Sequence, residues 1–304
     1  DTNPVKIFDD VDVLPTDNFK NGAKKIAEEL LIPPEKIDEI VGHLASNNHV
    51  LLGGPIGTGK TRLATLIPEM FGKDGLTYRA EVHTATSDWN VQDVIGGIMP
   101  KMKEGQPFYD MQDGCVVDTV KQNLSADTEK RVSHWHYVRY YNQQIEYRGT
   151  WLVIDEFNRA EIDKAFGPMF TSLRTRELKI PTKIAGKAYE EITILKDYRI
   201  IGTLNTQDKS FLFNMSDALQ SRFSYVEIDI PSRKLWEKEI YYAFKNAVED
   251  LGIDPGKVIT FNHTKKKVDG ILGQGVFLTG AHKAFHFLDT VRRFHKLGTA
   301  ILKK

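Results

Sequence analysis

Residues 49–61 read His-Val-Leu-Leu-Gly-Gly-Pro-Ile-Gly-Thr-Gly-Lys-Thr, an apolar run followed by a glycine-rich segment and then the start of a helical pattern. From residue 54 onward this stretch fits the pattern G-x-x-x-x-G-K-[ST], which requires a strand, a tight loop and a helix in that order. Glycines at 54, 57 and 59 allow successive backbone N–H groups to point inward, and the helix start adds a partial positive charge. The stretch therefore predicts a loop that binds phosphate groups.

Two side chains at the end of this loop have a predicted chemical role. Lys60 is expected to contact the β- and γ-phosphates of a nucleotide, and the Thr61 hydroxyl is expected to bind Mg²⁺. The alternative is a chance glycine turn, which the strand-loop-helix context disfavours. The predicted nucleotide-binding residues of the loop are Gly54, Pro55, Ile56, Gly57, Thr58, Gly59, Lys60, Thr61 and Arg62.

The composition bounds the class of protein. The chain has 304 residues, of which 41% are hydrophobic and 27% charged, so it has room for one large globular domain and a smaller one. Its formal net charge is zero, which removes any global electrostatic argument for nucleic acid or an anionic membrane but leaves a local patch open. Apolar runs are shorter than a membrane helix, and the single Cys115 has no partner for an internal disulfide. We therefore expect a reduced, cytoplasmic compartment, no signal peptide and no membrane insertion.

Predicted strands alternate with predicted helices over most of the chain, which is typical of a parallel α/β sheet. The predicted strands lie at residues 49–52, 77–82, 151–154, 198–204 and 225–230. The predicted helices of this region lie at 19–31, 34–44, 114–124 and 160–173, with a short one before Arg222.

The remaining segments divide the chain into three parts. Residues 1–18 are polar and interrupted by prolines, and we expect an irregular lead-in there. Residues 19–230 form the predicted nucleotide-binding core. From Pro231 onward the pattern is mostly helical, near 233–251 and 280–298, so residues 231–304 are predicted to form a helical lid.

Three segments inside the core interrupt the strand–helix alternation. Residues 96–113 are rich in glycine and proline and are predicted to be a loop or hairpin. Residues 177–194 alternate around Ala185-Gly186, which predicts a β-hairpin. Residues 125–149 are polar, rich in Tyr and His, and fit no clean period.

Two adjacent acids end the apolar run Trp-Leu-Val-Ile at residues 151–154. Carboxyl ends of strands are where open α/β sheets bind ligands. Beside a phosphate loop, Asp155 is expected to be the Mg²⁺ partner, and Glu156 is expected to act as general base on an attacking water. Taken alone, the pattern is more often a strand that meets solvent.

A polar amide and an arginine follow further along the chain. Asn205 ends the apolar run Ile-Ile-Gly-Thr-Leu at 200–204, where it is able to orient water near a γ-phosphate; the alternative is a turn-forming Asn. Arg222 ends a predicted short helix, from which it is able to reach the γ-phosphate of a neighbouring subunit. The alternative is a helix-end arginine that satisfies backbone carbonyls.

The order and spacing of the phosphate loop, Asp155-Glu156, Asn205 and Arg222 resemble those of an AAA+ ATPase over residues 30–304. Residues 155–160, Asp-Glu-Phe-Asn-Arg-Ala, are similar to a string of the MoxR- and McrB-like, dynein-related branch, and residues 93–97 resemble its D-L-x-G segment. The segments 98–113 and 177–194 are placed like the helix-2 insert and the pre-sensor-1 hairpin of that branch. Residues 202–210 are closer to the McrB-type motif G-T-x-N-x-x-D-x-S than to the MoxR-type motif.

The resemblance implies an α/β AAA+ core with a five-stranded parallel sheet, β-hairpin insertions and a small C-terminal helical lid. It also implies a homo-oligomeric ring, usually a hexamer, with the nucleotide between core and lid and Arg222 supplied by a neighbour. Asn158-Arg159 would act across the same interface. The lid helix of the family often carries an arginine, and here Lys283 is the nearest candidate. The resemblance thus implies that Lys283 binds the nucleotide by contacting a phosphate, although lysine lacks the bidentate fork of arginine.

Three hypotheses for function follow from these residues. The first is a Mg²⁺-dependent ATPase ring that remodels or assembles a macromolecular partner, with Glu156, Asn205, Lys60 and Arg222 as catalytic residues. The second is a GTP-hydrolysing motor subunit of a DNA-restriction system that contacts DNA only indirectly, which the McrB-like residues 202–210 suggest. ATP and GTP both stay open because the phosphate loop contacts only the phosphates of the nucleotide. The third is a nucleotide-gated scaffold with little turnover, which the presence of Glu156 and Arg222 disfavours.

Overall fold

The computed structural model describes most of the chain, namely residues 6–8, 13–103, 105–125, 130–138, 142–182, 188–205, 216–250, 252, 259–271 and 276–299. The α-helices are α1 (Phe19–Leu30), α2 (Pro34–Ala45), α3 (Lys60–Leu66), α4 (Val91–Val94), α5 (Cys115–Lys121), α6 (Ile162–Thr175), α7 (Asp217–Gln220), α8 (Trp236–Asp250) and α9 (Val276–Arg292). The strands are β1 (Ile7–Phe8), β2 (His49–Gly54), β3 (Gly72–Lys73), β4 (Leu76–Thr84), β5 (Gly96–Lys103), β6 (Gln106–Asp113), β7 (Arg131–Val132), β8 (His134–Val138), β9 (Gln143–Tyr147), β10 (Gly149–Asp155), β11 (Glu177–Pro181), β12 (Tyr189–Thr193), β13 (Ile200–Asn205), β14 (Phe223–Glu227), β15 (Ile259–Asn262) and β16 (Lys267–Ile271).

The central sheet has the strand order β14-β2-β13-β10-β4-β3. Its first five strands are parallel, which confirms the predicted five-stranded parallel sheet. The sixth strand, β3, is antiparallel because a two-residue turn joins it to β4. Both residues of that turn, Asp74 at φ 55° and Gly75 at φ 78°, are left-handed, the geometry of a tight hairpin turn.

The sheet is covered by helices on both faces, which explains why its central strands β2, β10 and β13 are buried along nearly their whole length and read as apolar runs. Side chains alternate along β10: Leu152 and Ile154 pack on the side of α5 and α6, whereas Trp151 and Val153 pack on the side of α1, α2 and α3. All four side chains are fully buried. The carboxyl ends of the parallel strands are thereby held by a core on either side.

Two segments have more strand than the sequence indicated. Residues 125–149, which fit no clean period, contain the β8–β9 hairpin, whose half-exposed aromatic and histidine side chains hide the alternation. The predicted helical region after Pro231 contains α8 and α9 but also the β15–β16 hairpin between them. The basic residues 265–267 lie at the turn of that second hairpin and in the first residue of β16.

The other segments that interrupt the strand–helix alternation contain hairpins. The segment 96–113 is the β5–β6 hairpin, and 177–194 is the β11–β12 hairpin, whose predicted Ala185-Gly186 turn lies outside the described residues. The lead-in includes the short strand β1, paired with β7. Among the described residues, no helix is both long enough and apolar enough to cross a bilayer.

Candidate active site

The phosphate loop lies at the carboxyl end of β2, as the sequence predicts. Every residue of β2 is buried, and α3 begins directly after the loop at Lys60. Gly57 and Gly59 have φ values of 82° and 83°, in the left-handed region that a residue with a Cβ seldom adopts. The loop backbone therefore has the conformation that aims N–H groups toward an anion at the helix start.

Lys60 lies against the loop itself. Its ammonium group donates to the carbonyl of Gly54 at 2.9 Å and to that of Pro55 at 2.7 Å, and the residue is 6% exposed. Burial lowers the pKa of Lys60 to about 8, and the charge of Asp155 partly opposes the shift. Both hydrogen bonds go to neutral oxygens, so the positive charge stays available to a phosphate.

Asp155 joins three elements that are distant in sequence. The Thr61 hydroxyl, on α3, donates to Asp155 Oδ1 at 2.6 Å, and the Thr203 hydroxyl, on β13, donates to the same oxygen at 2.5 Å. The two residues predicted to bind Mg²⁺ are thus in direct contact, and a carboxylate with hydroxyl oxygens is a donor set that Mg²⁺ prefers. Within the described part of the chain, no three His, Cys, Asp or Glu side chains form a metal cluster, so phosphate and water would supply the remaining ligands.

Glu156 has a strained backbone. Its φ is 54°, in the left-handed region, where residues other than glycine are uncommon and cluster at functional sites. The strain is held by a hydrogen bond from its N–H to the Thr203 hydroxyl at 3.1 Å. Its half-buried carboxylate pairs with Arg159 Nε at 2.8 Å. Thr203 was not predicted from the sequence; its position two residues before Asn205, on the same face of β13, is the signal that would have found it.

Asn205 lies beside the phosphate loop. It ends β13, and in the register of the sheet its Cα is opposite that of Gly54 on β2. The residue is half-buried. Asn205 therefore lies at the carboxyl ends of the strands, as do Asp155 and the loop. Residues 206–210 of the McrB-type motif lie outside the described residues.

Arg222 lies at the amino-terminal end of the parallel strands, whereas the loop of its own chain lies at their carboxyl end. It precedes β14, and its carbonyl accepts the backbone N–H of His49, the first residue of β2. Five residues of β2 separate this point from Gly54, roughly 16 Å at the rise of a strand. The guanidinium donates to the Ala218 carbonyl and, at 2.9 Å, to Ser221 Oγ, as a helix-end arginine does. The structure does not bring Arg222 into the site of its own chain.

Two further predicted residues lie apart from the centre of the site. The Arg62 side chain is exposed, lies 3.7 Å from Glu29, and lines a cleft of about 740 Å³ between α1 and α3. The Lys283 side chain is exposed on α9, and no hydrogen bond or ion pair described in the structure joins it to the loop. Its role as a phosphate contact stays a prediction.

The region after Pro231, predicted to be a lid, approaches the loop through residues that the sequence did not single out. A cavity of about 80 Å³ lies beside Gly57 and Thr58, between the end of α1 and helix α8 of the lid. Its walls include Leu31 of the core and Tyr242 of the lid. Apolar walls next to a phosphate loop suit the nucleoside part of a nucleotide.

Comparison with known proteins agrees with this geometry. The AAA domain (dynein-related subfamily) matches residues 49–223, more than half of the chain. The type IV methyl-directed restriction enzyme EcoKMcrB subunit of Escherichia coli (strain K12) is 25% identical over 205 residues, which are 66% of this chain and 39% of that protein. The gas vesicle ATPase GvpN of Ancylobacter aquaticus is 26% identical over 195 residues, 64% of this chain and 49% of that protein.

The matched region spans less than half the length of each of these relatives. Among solved structures, NtrX from Brucella abortus aligns with a TM-score of 0.47 at 14% identity, covering 94% of this chain and 57% of that one. The family match, the two relatives and the observed sheet all confirm the predicted family and fold. The chain belongs to the AAA+ proteins, in the dynein-related AAA domain family and on its MoxR- and McrB-like branch.

Proposed function

We propose that this chain is a Mg²⁺-dependent ATPase that assembles into a ring, a hexamer, and uses ATP hydrolysis to remodel or assemble a macromolecular partner. The observation that carries the proposal is the contact between the Thr61 hydroxyl and Asp155 Oδ1 at 2.6 Å. It joins the phosphate loop to the acidic strand end, where hydrolysis by phosphate-loop enzymes requires both. The nucleotide would lie between the core, residues 19–230, and the lid, residues 231–304.

Each side chain of the site has a role in this mechanism. Thr61 and Asp155 would hold Mg²⁺, which supplies positive charge against the β- and γ-phosphates. Lys60 leaves its two carbonyl partners to neutralise charge on the transferred phosphoryl group. Glu156 accepts a hydrogen bond from the attacking water, and Asn205 helps to orient that water.

Arg222 completes the site from a neighbouring subunit. Arg222 lies at the amino-terminal end of β2, away from the loop of its own chain. This position supports the assignment, because an arginine that serves a neighbouring subunit has to lie away from its own nucleotide site. A guanidinium beside the γ-phosphate stabilises the charge of the transition state. Replacing the neutral acceptors Ala218 and Ser221 by phosphate oxygens would strengthen its hydrogen bonds.

The substitution Glu156→Gln tests the hydrolytic assignment. We expect the variant to bind ATP with nearly unchanged affinity, because only the general base is lost. Its rate of ATP hydrolysis should fall by a factor of at least about a hundred. Phosphate release under single-turnover conditions and calorimetric ATP binding measure the two quantities.

Glu161→Gln is the matched control for this test, because Glu161 is an exposed carboxylate five residues further on, paired with Lys164 at 3.6 Å. Its turnover should stay within twofold of the parent chain. Normal turnover in Glu156→Gln would remove Glu156 from the mechanism.

Two relatives favour different partners for the same chemistry. The name of GvpN connects an ATPase with gas vesicles, and that of EcoKMcrB connects its subunit with methyl-directed restriction. The second candidate function is therefore a GTP-hydrolysing motor subunit of a restriction system, supported by that relative's 25% identity. A nucleotide-gated scaffold is the third candidate, and its mark would be turnover near zero in an assembled ring. We place the protein in the cytoplasm.

A further inference from the structure

Residues 297–299, which we call the lid latch, lie directly on the phosphate loop. The backbone N–H of Gly298 donates to the carbonyl of Ile56 at 2.7 Å. A Cβ added to Gly298 would lie 2.0 Å from the carbonyl carbon of Gly57, closer than any side chain fits. The two backbones therefore touch, and the contact depends on glycine on both sides.

Arg292 holds one end of the latch. Its Nε donates to the carbonyl of Leu297 at 2.7 Å. Its two terminal nitrogens donate to Glu239 of α8, at 2.9 Å to Oε2 and at 2.6 Å to Oε1. The planar guanidinium thus binds a carboxylate with its fork and the latch with its remaining donor, an arrangement that lysine cannot reproduce.

Glu239 holds the other end. The hydroxyl of Thr299 donates to Glu239 Oε1, the oxygen that also faces Arg292. The side chains of Glu239 and Arg292 are 2% and 9% exposed, so the pair is withdrawn from water. A buried, bidentate ion pair has a narrow geometry, and removing one partner leaves an uncompensated charge. The pair therefore fixes the latch rather than merely lying near it.

The latch borders the space that the nucleoside would need. Thr299 and Glu239 line the cavity beside Gly57 and Thr58, whose volume is about 80 Å³. Residues 297–299 and the adjoining residues of α8 therefore form part of the wall past which a nucleoside bound beside the loop would leave, so their movement would affect its release.

From this geometry we propose that Arg292 and Glu239 are positioning residues that fasten the lid to the phosphate loop through residues 297–299, and that release of this latch limits nucleotide dissociation. The proposal rests on the proposed nucleotide site. Lys283, which the sequence predicts to contact a phosphate from the same lid, has an exposed side chain and takes no part in this contact.

The test measures the dissociation rate of fluorescent ADP, displaced by excess unlabelled ADP in a stopped-flow instrument. Arg292→Lys keeps a charge beside Glu239 but loses the donor to Leu297, and Thr299→Val keeps the shape but loses the hydroxyl. Each variant should release ADP about tenfold faster, the effect of one lost hydrogen bond to a charged or charge-assisted group. The double variant should also be about tenfold faster, because both changes free the same segment.

Asp289→Asn is the control, because it breaks the ion pairs of Asp289 with Arg233 and Arg293 on the same lid, away from the loop. Its ADP dissociation rate should stay within twofold of the parent. Hydrogen exchange supplies a second measurement. In the latch variants the amides of the latch and loop should exchange faster while those of α8 and α9 do not, whereas a merely structural role would accelerate the whole lid.

Two results would overturn the proposal: dissociation within twofold of the parent in both single variants, or faster exchange spread evenly over the lid. A parent chain that binds no ADP would instead overturn the proposed function. A parent that binds and turns over nucleotide, with variants that release ADP at its rate, would remove the latch alone.

Discussion

At the scale of single residues, the site combines a lysine that is hydrogen-bonded to its own loop with a glutamate in a strained backbone conformation. Lys60 is buried on the carbonyls of Gly54 and Pro55, and burial lowers its pKa to about 8. Glu156 is held in a left-handed backbone and paired with Arg159. Both groups are therefore held by contacts within their own chain that a nucleotide and its attacking water would replace.

Lys60 leads to a prediction about pH. Its pKa in the free chain is about 8, and phosphate next to the ammonium group would raise it, so binding above pH 8 takes up a proton. The Kd for ATP should rise about tenfold per pH unit above pH 8, until the pKa of the complex is reached. Calorimetric titration between pH 7 and 9.5 measures this.

Lys60→Arg provides the control for the pH series, because a guanidinium stays protonated throughout this range. Its affinity should be weaker at pH 7 but nearly flat with pH. A flat profile in the parent chain would mean that the charge of Lys60 does not titrate in this window.

At the scale of elements, the parallel strands carry predicted functional residues at both of their ends. Asp155, Asn205 and the phosphate loop lie at the carboxyl ends of the strands. Arg222 lies at the amino-terminal ends of the strands, where its carbonyl accepts the N–H of His49. The ring of His49 in turn accepts the N–H of Ile200 at 3.0 Å, and burial lowers the pKa of His49 to about 3, so the ring stays neutral as an acceptor.

This separation predicts how Arg222 acts. Arg222→Ala should lower turnover about a thousandfold while ATP affinity stays near that of the parent, because the arginine would serve a neighbour's γ-phosphate. Mixing this variant with Lys60→Ala, which keeps Arg222 but has lost its own loop lysine, should restore part of the turnover. Mixtures that are no more active than the separate variants would exclude a role in trans.

At the scale of the whole molecule, the active unit is expected to be an assembly. A site completed by a neighbour cannot work in a lone chain, so turnover per chain should rise cooperatively with protein concentration and then level off. ATP should be hydrolysed faster than GTP under the same conditions. Phosphate release across a concentration series, with each nucleotide in turn, measures both expectations.

The outcomes of that series separate the three candidate functions. A preference for GTP would favour the restriction-type motor, and turnover near zero in the assembled ring would favour the scaffold. Turnover per chain that is independent of concentration would mean that each chain carries a complete site.

Much of the fold was predictable because its signals are local. The run at 49–61 specifies strand, loop and helix through apolar residues and glycines that are adjacent in sequence, and the structure confirms all three. Residues 125–149 were not predictable in the same way, since the β8–β9 hairpin is only half-buried and its polar residues follow no period. The β15–β16 hairpin in the lid was missed as well.

Residue types and short-range periodicity predicted the parallel sheet, the resemblance of short motifs identified the family, and the two together selected the loop, acids and amide as the candidate site. The contacts among them required the folded chain. Thr61 and Asp155 are 94 residues apart, and Thr203 is 48 residues beyond Asp155, yet one carboxylate oxygen binds both hydroxyls. The strand order β2-β13-β10 brings them together. The direction of β2 separates Arg222, beside its first residue, from the loop at its last, and the contact of Gly298 with Ile56 joins residues 242 positions apart. Such order follows from packing two apolar faces against helices, a long-range property that no window of sequence contains.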